Sequence, residues 1–441
     1  MKVGISSIAF DIPKLHLPIT TLAQNRKIEP EKLIKGLGLH KMSFPDVHQD
    51  VVTFAANAVL KLIQQENLNP EDIARIYIGS ESGLDSSKPI ASYVIQLLEQ
   101  QLGNRVFKHC DIVDMTFACI GAVDALQVNL DFIALNPDKK VIVVATDNAK
   151  YDLNSTGEYT QGAGAIAMLL TSNPKILSFD NKVGVASEGV FDFFKPRRTI
   201  SKNDILNTMD NPEWFGILEN EISFYKEQPV FDGQYSNQCY INRIIEAYFH
   251  FKSITNTSSA VYQTWENIIM HLPYCFQARR TFVEIYAKEN NLQEDSKVIS
   301  KTKDYLDLVT KTIFPSEIAS GQVGNIYSGS IFLGMLSTLC FHFRNNTDLV
   351  SKKFGFIAYG SGSKSKVFEG EIQPNWKENI SKTKLFEFLE NTHEIDFGTY
   401  ISLHKKERKE SVLQSINEFY LDYIEKENPV LLGARYYKFK K

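Results

Sequence analysis

Short apolar runs alternate along this chain with longer stretches in which apolar residues recur at helical spacing. Helical spacing occupies residues 51–65 and 90–102, among others. The apolar runs have the composition of strands buried on both faces, and they occupy residues 76–78, 141–145, 165–170 and 354–358. A chain that alternates strands with helices folds as an α/β protein around a parallel or mixed sheet.

The order of these elements occurs twice. A helix rich in small residues follows Cys119, and a strand around 141–146 and the glycine-rich Gln161-Gly-Ala-Gly164 come after it. A second small-residue helix, predicted over 324–336, is likewise followed by a strand and a glycine turn at 360–362. This repetition suggests two halves related by a pseudo-twofold axis. Between them, residues 190–300 combine helical spacing with many aromatic residues, including Trp214 and Phe215, and predict an added helical layer.

Charge and cysteine usage exclude several classes of protein. The chain of 441 residues has a formal net charge of −4, which argues against nucleic acid as a main partner. The five cysteines contain no Cys-x-x-Cys pair, so neither a disulfide framework nor a metal site is expected. The N-terminus reads as a strand, and no apolar run approaches the roughly 18 residues that span a bilayer. We therefore expect a cytoplasmic protein without a membrane partner.

Three residues are candidates for chemistry. Cys119 lies at a predicted helix start, where free N–H groups and the helix dipole favour loss of the thiol proton. Glu81 directly follows an apolar strand and could face a crevice as a general base, or be a solvated loop residue. His271 precedes Leu272-Pro273, which ends regular structure, and could be either a site residue or a core histidine. Asn325, at the second predicted helix start, could be only an N-cap.

The combination is more specific than its parts. In chain order it comprises Glu81-Ser-Gly-Leu-Asp-Ser-Ser-Lys-Pro, Phe117-Ala-Cys-Ile-Gly-Ala, His271-Leu-Pro-Tyr, Gly324-Asn-Ile-Tyr-Ser and Tyr359-Gly-Ser-Gly. This order resembles the 3-hydroxy-3-methylglutaryl-CoA (HMG-CoA) synthase family over roughly residues 1–370. The segments 160–168, 192–196 (Asp-Phe-Phe-Lys-Pro) and 229–240 add to the resemblance, whereas the last 70 residues match more loosely.

The resemblance implies a thiolase-like fold, a duplicated αβαβα arrangement of five layers, working as a homodimer. Residues 1–175 would form the N-terminal half with Glu81 and Cys119. Residues 176–441 would form the C-terminal half with His271 and Asn325, and would contain the inserted helical region at about 190–300.

The implied activity is the condensation of acetyl-CoA with acetoacetyl-CoA and water, giving HMG-CoA and CoA. Cys119 would carry the acetyl group, Glu81 would act as acid and base, and His271 would bind the acetoacetyl oxygen. The CoA thioesters are substrates, and no cofactor is implied. The family's usual place is the mevalonate pathway of isoprenoid synthesis, although the sequence does not distinguish it from a secondary pathway.

The resemblance also suggests binding roles. The backbone N–H of Cys119 and one from the turn at Gly360 and Ser361 would form an oxyanion hole. Asn325 and Ser328 match positions that contact the acetoacetyl or pantetheine part, and Tyr151 and Phe193 are candidates for the walls of the acyl tunnel.

The chain departs from the family at the expected CoA contacts. Family members commonly carry lysines five and nine residues after the histidine, where this chain has Phe276 and Arg280. Arg280 keeps the charge in a form that suits phosphate, and the neighbouring Arg279 could compensate for Phe276.

Three alternatives remain open. Carrier-protein-dependent HMG synthases of polyketide β-branching typically follow the histidine with Thr-Pro-Phe-Gly-Gly, which residues 272–276 do not match. Priming ketoacyl synthases and chalcone-synthase-like enzymes use Cys-His-Asn without a glutamate at the position of Glu81. An inactive scaffold of the same fold should have lost Cys119, Glu81 or His271, and all three are present.

Overall fold

The computed structural model describes residues 1–206 and 220–441; Trp214 and Phe215 of the predicted helical region lie outside them. The strands are β1 (Val3–Asp11), β2 (Leu15–Pro18), β3 (Lys41–Phe44), β4 (Ile73–Gly79), β5 (Asp111–Met115), β6 (Lys140–Ala149), β7 (Gly162–Ser172), β8 (Leu177–Phe179), β9 (Gly184–Ser187), β10 (Phe193–Phe194), β11 (Arg198–Ser201), β12 (Glu221–Phe224), β13 (Val230–Phe231), β14 (Asn267–Met270), β15 (Lys353–Gly360), β16 (Lys364–Ile372), β17 (His393–Glu394), β18 (Glu418–Ile424) and β19 (Arg435–Lys440).

The helices vary in length from one turn to six. They are α1 (Ile19–Asn25), α2 (Pro30–Leu37), α3 (Val51–Gln65), α4 (Ile90–Leu102), α5 (Gly121–Leu135), α6 (Lys202–Leu206), α7 (Gly233–Thr255), α8 (Gln277–Glu289), α9 (Ser296–Ile299), α10 (Lys303–Leu308), α11 (Phe314–Val323), α12 (Ser330–Arg344), α13 (Trp376–Ile380), α14 (Leu385–Glu390) and α15 (Phe397–His404).

The main sheet is mixed and contains strands from both halves of the chain. Its order is β14-β15-β16-β8-β1-β7-β6-β4-β5, and β9 pairs with β16. Strands β4, β5 and β6 run parallel, so their carboxyl ends meet at one edge. The three-residue strand β8 pairs with both β1 and β16 and thereby joins the two half-sheets.

Alternate residues of the strands bury opposite faces, which explains the layers. On β4, Ile76 and Ile78 pack against α3 and α4, whereas Tyr77 faces α5 and α12 in the centre of the molecule. On β15, Phe356 faces the same central layer, and Ile357 packs with α7 and α8 on the far side. Helix, sheet, helix, sheet, helix is the order of the layers. The predicted five-layer αβαβα fold is therefore confirmed.

Several boundaries differ from the sequence predictions. The strand runs and helices α3 and α4 are found as predicted, but α5 begins two residues after Cys119. In the segment 324–336, a 3-10 turn at Tyr327–Gly329 precedes α12. The predicted helical region at 190–300 contains α7 and α8, and also the short strands β10–β13. It further contributes β14, whose four residues are buried and pair with β15; its three apolar residues, Ile268, Ile269 and Met270, pack into the layers on its two sides.

Contrary to the expectation from the sequence, one segment within residues 1–206 and 220–441 is long and apolar enough to cross a membrane by composition. It is Ala118–Leu135, with a mean hydropathy of 1.5 over 18 residues, and it includes α5. More than half of the segment is buried inside the protein, where α5 forms part of the central layer. Its hydropathy is thus explained by packing between the two half-sheets.

Candidate active site

Three acidic or nucleophilic side chains meet at the carboxyl edge of the parallel strands. Glu81 follows β4 by two residues, Cys119 lies in the turn between β5 and α5, and Asp147 belongs to the last part of β6. Adjacent parallel strands place the residues at their carboxyl ends side by side, and crevices at this edge commonly hold ligands. The topology therefore brings together residues that are 28 to 66 positions apart, as the contacts below show.

The thiol of Cys119 contacts the carboxylate of Glu81. The Sγ atom lies 3.3 Å from Glu81 Oε2, and the preceding residue, Ala118, has a left-handed φ of 39° that turns the chain at this point. Burial raises the pKa of the Cys119 thiol well above its ordinary value, and the charge of Glu81 raises it further. The expectation that a helix start would lower this pKa is wrong. At rest the thiol is protonated and donates to Glu81.

Glu81 binds Lys195 with its other oxygen. Lys195 Nζ lies 2.8 Å from Glu81 Oε1, and 10% of the lysine side chain and 6% of the glutamate side chain are exposed. The ammonium also lies 4.4 Å from the centre of the Tyr327 ring. The segment 192–196 was recognised in the sequence as a family match, but nothing in its spacing assigned Lys195 to Glu81.

Asp147 organises the segment that carries Glu81. Its Oδ1 accepts hydrogen bonds from the hydroxyls of Ser80 and Ser82 and from the Glu81 N–H, at 2.8 to 3.0 Å. Its Oδ2 accepts from the N–H and the hydroxyl of Ser328, at 3.0 and 2.5 Å. Burial, followed by the charge of Glu81, raises the pKa of Asp147 to about 6.

Ser328, predicted to contact substrate, is not among the residues that line the cavity containing Cys119. Its side chain is fully buried against Asp147 and the carbonyl of Gly79. One signal in the sequence pointed to Asp147, its position two residues after the apolar run 141–145, and that signal was missed.

His271 is a neutral imidazole. Burial lowers its pKa to about 3, so it carries no charge at neutral pH. Its Nδ1 is buried and has no hydrogen-bond partner among the described residues. Its carbonyl accepts a 2.7 Å hydrogen bond from the Tyr240 hydroxyl, which fixes the backbone at the end of β14. The imidazole is thus available to a group placed in the adjoining cavity.

Cys119 and His271 line one cavity of about 290 Å³. Tyr151 and Phe193, predicted as its walls, lie there with Phe231 and Tyr327, which were not predicted. These rings pack edge-on or tilted, with centroids 5.7 to 6.4 Å apart. Leu37, Tyr159 and Tyr274, from three segments of the chain, are lining residues that are partly exposed, so the cavity opens beside them.

Asn325 both caps the turn before α12 and lines the cavity. Its Oδ1 accepts from the Tyr327 N–H at 2.8 Å and from the Ser330 hydroxyl at 2.9 Å, so it caps the turn before α12 as the sequence suggested. The residue also lines the cavity. With Oδ1 engaged, the amide NH₂ of Asn325 is the part that remains to donate to a bound group.

The glycine turn after β15 touches the Cys119 turn. A Cβ on Gly360 would lie 2.7 Å from a methyl of Ile120 and 2.8 Å from the Phe117 carbonyl, so no side chain fits there. Ser361 lines the cavity. Buried Asp192 fixes the turn, because it accepts from the Gly362 N–H at 2.7 Å. The predicted oxyanion residues Gly360 and Ser361 are thus adjacent to Cys119.

The two arginines predicted to contact CoA differ. Arg279 forms a two-point ion pair with Glu317, which is 1% exposed, and stacks on Phe276 at 3.8 Å. Its charge is therefore neutralised inside the protein, and the prediction that it compensates for Phe276 is not supported. Arg280 is exposed and donates to the Gly36 carbonyl at 2.6 Å, near the cavity opening.

Phe276 stands where a lysine was expected because it has a packing role. A Cβ on Gly38, which has a φ of 76° at the end of α2, would fall 2.4 Å from the Phe276 ring. The Phe276 N–H donates to the Leu37 carbonyl at 3.1 Å. Phe276 thus holds the end of α2 against the start of α8, and its ring fills the space beside Gly38 that a lysine side chain would otherwise occupy.

The described ranges, 1–206 and 220–441, contain no group of three or more His, Cys, Asp or Glu side chains placed to hold a metal ion. All five cysteines are free.

Comparison with known proteins identifies the family of the chain. Residues 1–175 match the family described as Hydroxymethylglutaryl-coenzyme A synthase N terminal, and residues 295–417 match its C terminal counterpart. The Hydroxymethylglutaryl-CoA synthase of Enterococcus faecalis is 30% identical over 419 residues, which cover 95% of each protein.

Solved structures agree as well. The structure of MvaS in complex with 3-hydroxy-3-methylglutaryl coenzyme A has a TM-score of 0.83 at 26% identity, covering 100% of this chain and 99% of that one. The HMG synthase of the curacin biosynthetic pathway, solved with its apo donor-ACP, has a TM-score of 0.79 over the whole of both chains. At 19% identity that second likeness shows the fold alone. The chain belongs to the hydroxymethylglutaryl-CoA synthase family.

Proposed function

We propose that the protein condenses acetyl-CoA with acetoacetyl-CoA and water to give HMG-CoA and CoA. The observation that carries the proposal is the contact of the Cys119 thiol with the Glu81 carboxylate at the inner end of a cavity that His271 also lines. A thiol nucleophile beside a base, with a neutral hydrogen-bonding group nearby, suits carbon–carbon bond formation on an acyl-enzyme.

In the first half-reaction Cys119 attacks the thioester carbon of acetyl-CoA. The raised pKa of the thiol means that its proton must be taken up as the sulfur attacks, and Glu81 Oε2 at 3.3 Å is in place to accept it. The C–S bond to CoA breaks, and the departing CoA thiolate receives the proton. Acetyl-Cys119 remains.

In the second half-reaction Glu81 removes a proton from the methyl group of acetyl-Cys119. The resulting enolate carbon attacks the ketone carbon of acetoacetyl-CoA, and Glu81 returns the proton to the alkoxide that forms. His271, uncharged at neutral pH, holds the ketone oxygen by donating a hydrogen bond. A neutral donor suits this task because it stabilises the developing alkoxide without protonating the ketone in advance.

Water then hydrolyses the remaining thioester to Cys119. The bond from carbon to the Cys119 sulfur breaks, the product leaves as HMG-CoA with a free carboxylate, and the thiol is restored. In each step negative charge develops on the thioester oxygen. The backbone N–H groups of Cys119 and of the turn at Gly360 and Ser361 are the donors that we assign to that oxygen.

Covalent labelling tests the proposal directly. Incubation with radiolabelled acetyl-CoA should place label on Cys119, and a chase with acetoacetyl-CoA should release it as HMG-CoA. The variant Glu81→Ala should still become acetylated, although more slowly because the Cys119 thiol loses its nearest proton acceptor, and it should fail to condense. Absence of label from the wild-type protein would refute the proposed reaction, and normal condensation by Glu81→Ala would refute the assigned base.

The carrier of the acyl groups is the second question. We propose free CoA thioesters rather than carrier-protein substrates, since Arg280 is exposed near the cavity opening and its guanidinium has further N–H groups, besides the one that binds the Gly36 carbonyl, to donate to a phosphate. Parallel turnover of acetoacetyl-CoA and of a carrier-bound acetoacetyl group decides between the two. Faster turnover of the carrier-bound substrate would favour the alternative.

The compartment, the pathway and the oligomeric state belong to the same proposal. We propose that the protein acts in the cytoplasm, in the mevalonate pathway, and as a homodimer. The edge strand β5 supports the dimer, because in the described chain it pairs with β4 on one side and with no strand on the other. Measurement of the molar mass in solution, by light scattering, checks it.

A further inference from the structure

We propose that Lys195 is the positioning residue for Glu81: its ammonium holds one oxygen of the carboxylate so that the other faces Cys119. This inference rests on the proposed condensation and extends it, because it names a residue that neither the motif spacing nor the mechanism above required.

The two oxygens of Glu81 have different partners. Oε1 lies 2.8 Å from Lys195 Nζ, and Oε2 lies 3.3 Å from Cys119 Sγ. The same ammonium lies 3.4 Å from the Glu81 backbone carbonyl, so it binds the residue at both ends. A carboxylate held in this way cannot rotate about its last torsion without breaking a charge-assisted hydrogen bond. Proton transfer to and from carbon depends on such fixed geometry.

The charges around Glu81 make Lys195 the balancing group. Cys119 faces it from the turn before α5, Asp147 faces it from β6, and the hydroxyl-bearing rings of Tyr151, Tyr225 and Tyr327 lie within electrostatic range. Among these groups of the described chain, Lys195 carries the positive charge. Without it, two carboxylates would share one buried region with no positive charge to balance them, and the pKa of Asp147 would rise further.

Lys195 is itself held firmly. It follows β10, which pairs with β13, and the start of its segment is anchored by Asp192, whose oxygens accept from Tyr359 and Gly362. Lys195 also lines a second cavity, of about 700 Å³, which Cys119 does not line. A side chain of similar length can therefore replace it without opening a void in a packed core.

The consequence differs between the two half-reactions. Acetylation moves a proton from the Cys119 sulfur to Glu81 and on to the departing CoA sulfur. Condensation requires Glu81 to remove a proton from carbon, which is far less acidic than a thiol, and therefore depends more strongly on a fixed geometry of the base. Loss of Lys195 should therefore slow condensation far more than acetylation.

The test compares Lys195→Met, Lys195→Arg and the control Lys353→Met. Lys353 pairs with buried Glu369 at the other end of β15, away from the cavity, so its loss reports only the removal of a lysine–carboxylate pair. We expect Lys195→Met to form acetyl-Cys119 and to condense about 100-fold more slowly or worse, the usual contribution of a positioned acid–base group. The KM for acetoacetyl-CoA should change by less than about threefold, since ground-state binding is not affected.

The pH profile supplies a reading that a purely structural role would not move. In Lys195→Met the acidic limb of the condensation rate should shift to higher pH, because Asp147, which holds the Glu81 segment and whose pKa the Lys195 charge lowers, then takes up its proton at higher pH. Lys195→Arg should restore the limb and bring the rate to within about tenfold of wild type, since the charge is kept. Lys353→Met should behave as wild type in both respects.

The outcomes separate the two proposals. If wild-type protein forms no acetyl-Cys119, the proposed reaction itself fails. If wild type condenses and Lys195→Met matches it in rate and pH profile, or loses acetylation and condensation equally, Lys195 does not position Glu81. If Lys195→Met does not fold, Lys195→Gln, which keeps a polar end, is subjected to the same comparison.

Discussion

Replacing Asp147 by Asn should separate stability from activity. The carboxyl is fully buried, and its pKa is raised from 3.8 to about 6. The folded protein therefore holds the proton more tightly than the unfolded chain does, and stability due to this group falls as pH rises from about 4 to about 6. The difference corresponds to about 3 kcal/mol that wild type loses across this window and the variant does not.

The altered hydrogen bonds of Asp147→Asn lower its free energy of unfolding and so oppose this gain. The amide of Asn can present an oxygen to Ser80, Glu81 and Ser82, but its NH₂ then faces the two donors of Ser328. The Ser328 hydroxyl can turn to the Gly79 carbonyl, 2.9 Å away, while the Ser328 N–H loses its acceptor. A buried donor left unpaired costs about 1–3 kcal/mol. The two effects nearly cancel at neutral pH, and at pH 4–5 only the penalty remains.

The assay is urea unfolding of wild type and Asp147→Asn at several pH values between about 4.5 and 7.5. The free energy of unfolding of the variant should lie about 1–3 kcal/mol below wild type at the acidic end and approach it at the neutral end. Condensation should nevertheless drop at least about tenfold at neutral pH, because the Ser80–Ser82 segment that carries Glu81 shifts. The control is Asp11→Asn, since Asp11 is a buried carboxyl that binds Lys61 and Asn57 away from the cavity and should retain activity.

A stability difference that stays constant over the whole pH range would refute the reasoning about the raised pKa. Full condensation activity in Asp147→Asn would refute the role given to its hydrogen bonds.

His271→Asn should lose less stability on acidification than wild type does. Burial lowers the wild-type His271 pKa from 6.5 to about 3, so below about pH 6.5 the unfolded chain takes up a proton that the folded state does not. An unchanged slope of the free energy of unfolding in urea against pH would contradict this. Gly360→Ala should reduce acetyl-Cys119 formation by at least about tenfold, because the new methyl would lie 2.8 Å from the Phe117 carbonyl and displace the nucleophile turn, as labelling measures. Arg280→Met should raise the KM for acetyl-CoA severalfold without lowering Tm. Arg279→Met should instead lower Tm, because it leaves the buried Glu317 carboxylate unpaired. If the two effects are found the other way round, Arg279 is the residue that binds CoA.

Much of the fold follows from local pattern. The helices α3 and α4 have the ends predicted from apolar spacing, since each packs one stripe on a sheet face, and the strand runs are recovered because strands buried on both faces are continuously apolar. The helical prediction for 190–300 was less successful. In that region the polar, aromatic-rich segment before α7 folds as short pairs, β10 with β13 and β11 with β12, whose pairing depends on residues some 20 to 40 positions apart.

The site residues also fall into those that the sequence could predict and those that it could not. Cys119, Glu81 and His271 each end or begin a regular element, and that position is visible in the sequence. Lys195 is important because it binds Glu81, which lies 114 residues away in the sequence, and a local sequence pattern cannot show such a contact. Arg279 shows the reverse case, because its charge suggested a ligand, yet Glu317 neutralises it from a different helix.

Strand β8 has a mechanical consequence. Three residues pair on one side with β1 and on the other with β16, so a single continuous ladder of backbone hydrogen bonds runs through both halves. A hinge between the halves would have to break that ladder, and enzymes of two lobes that clamp their substrates usually bend at free linkers instead. Substrate must therefore enter and leave this molecule by small movements of the side chains and turns at the cavity opening, with the scaffold staying still. The slow event in turnover, if it is physical rather than chemical, should then depend on residues such as Tyr159 and Tyr274 and leave the sheet untouched.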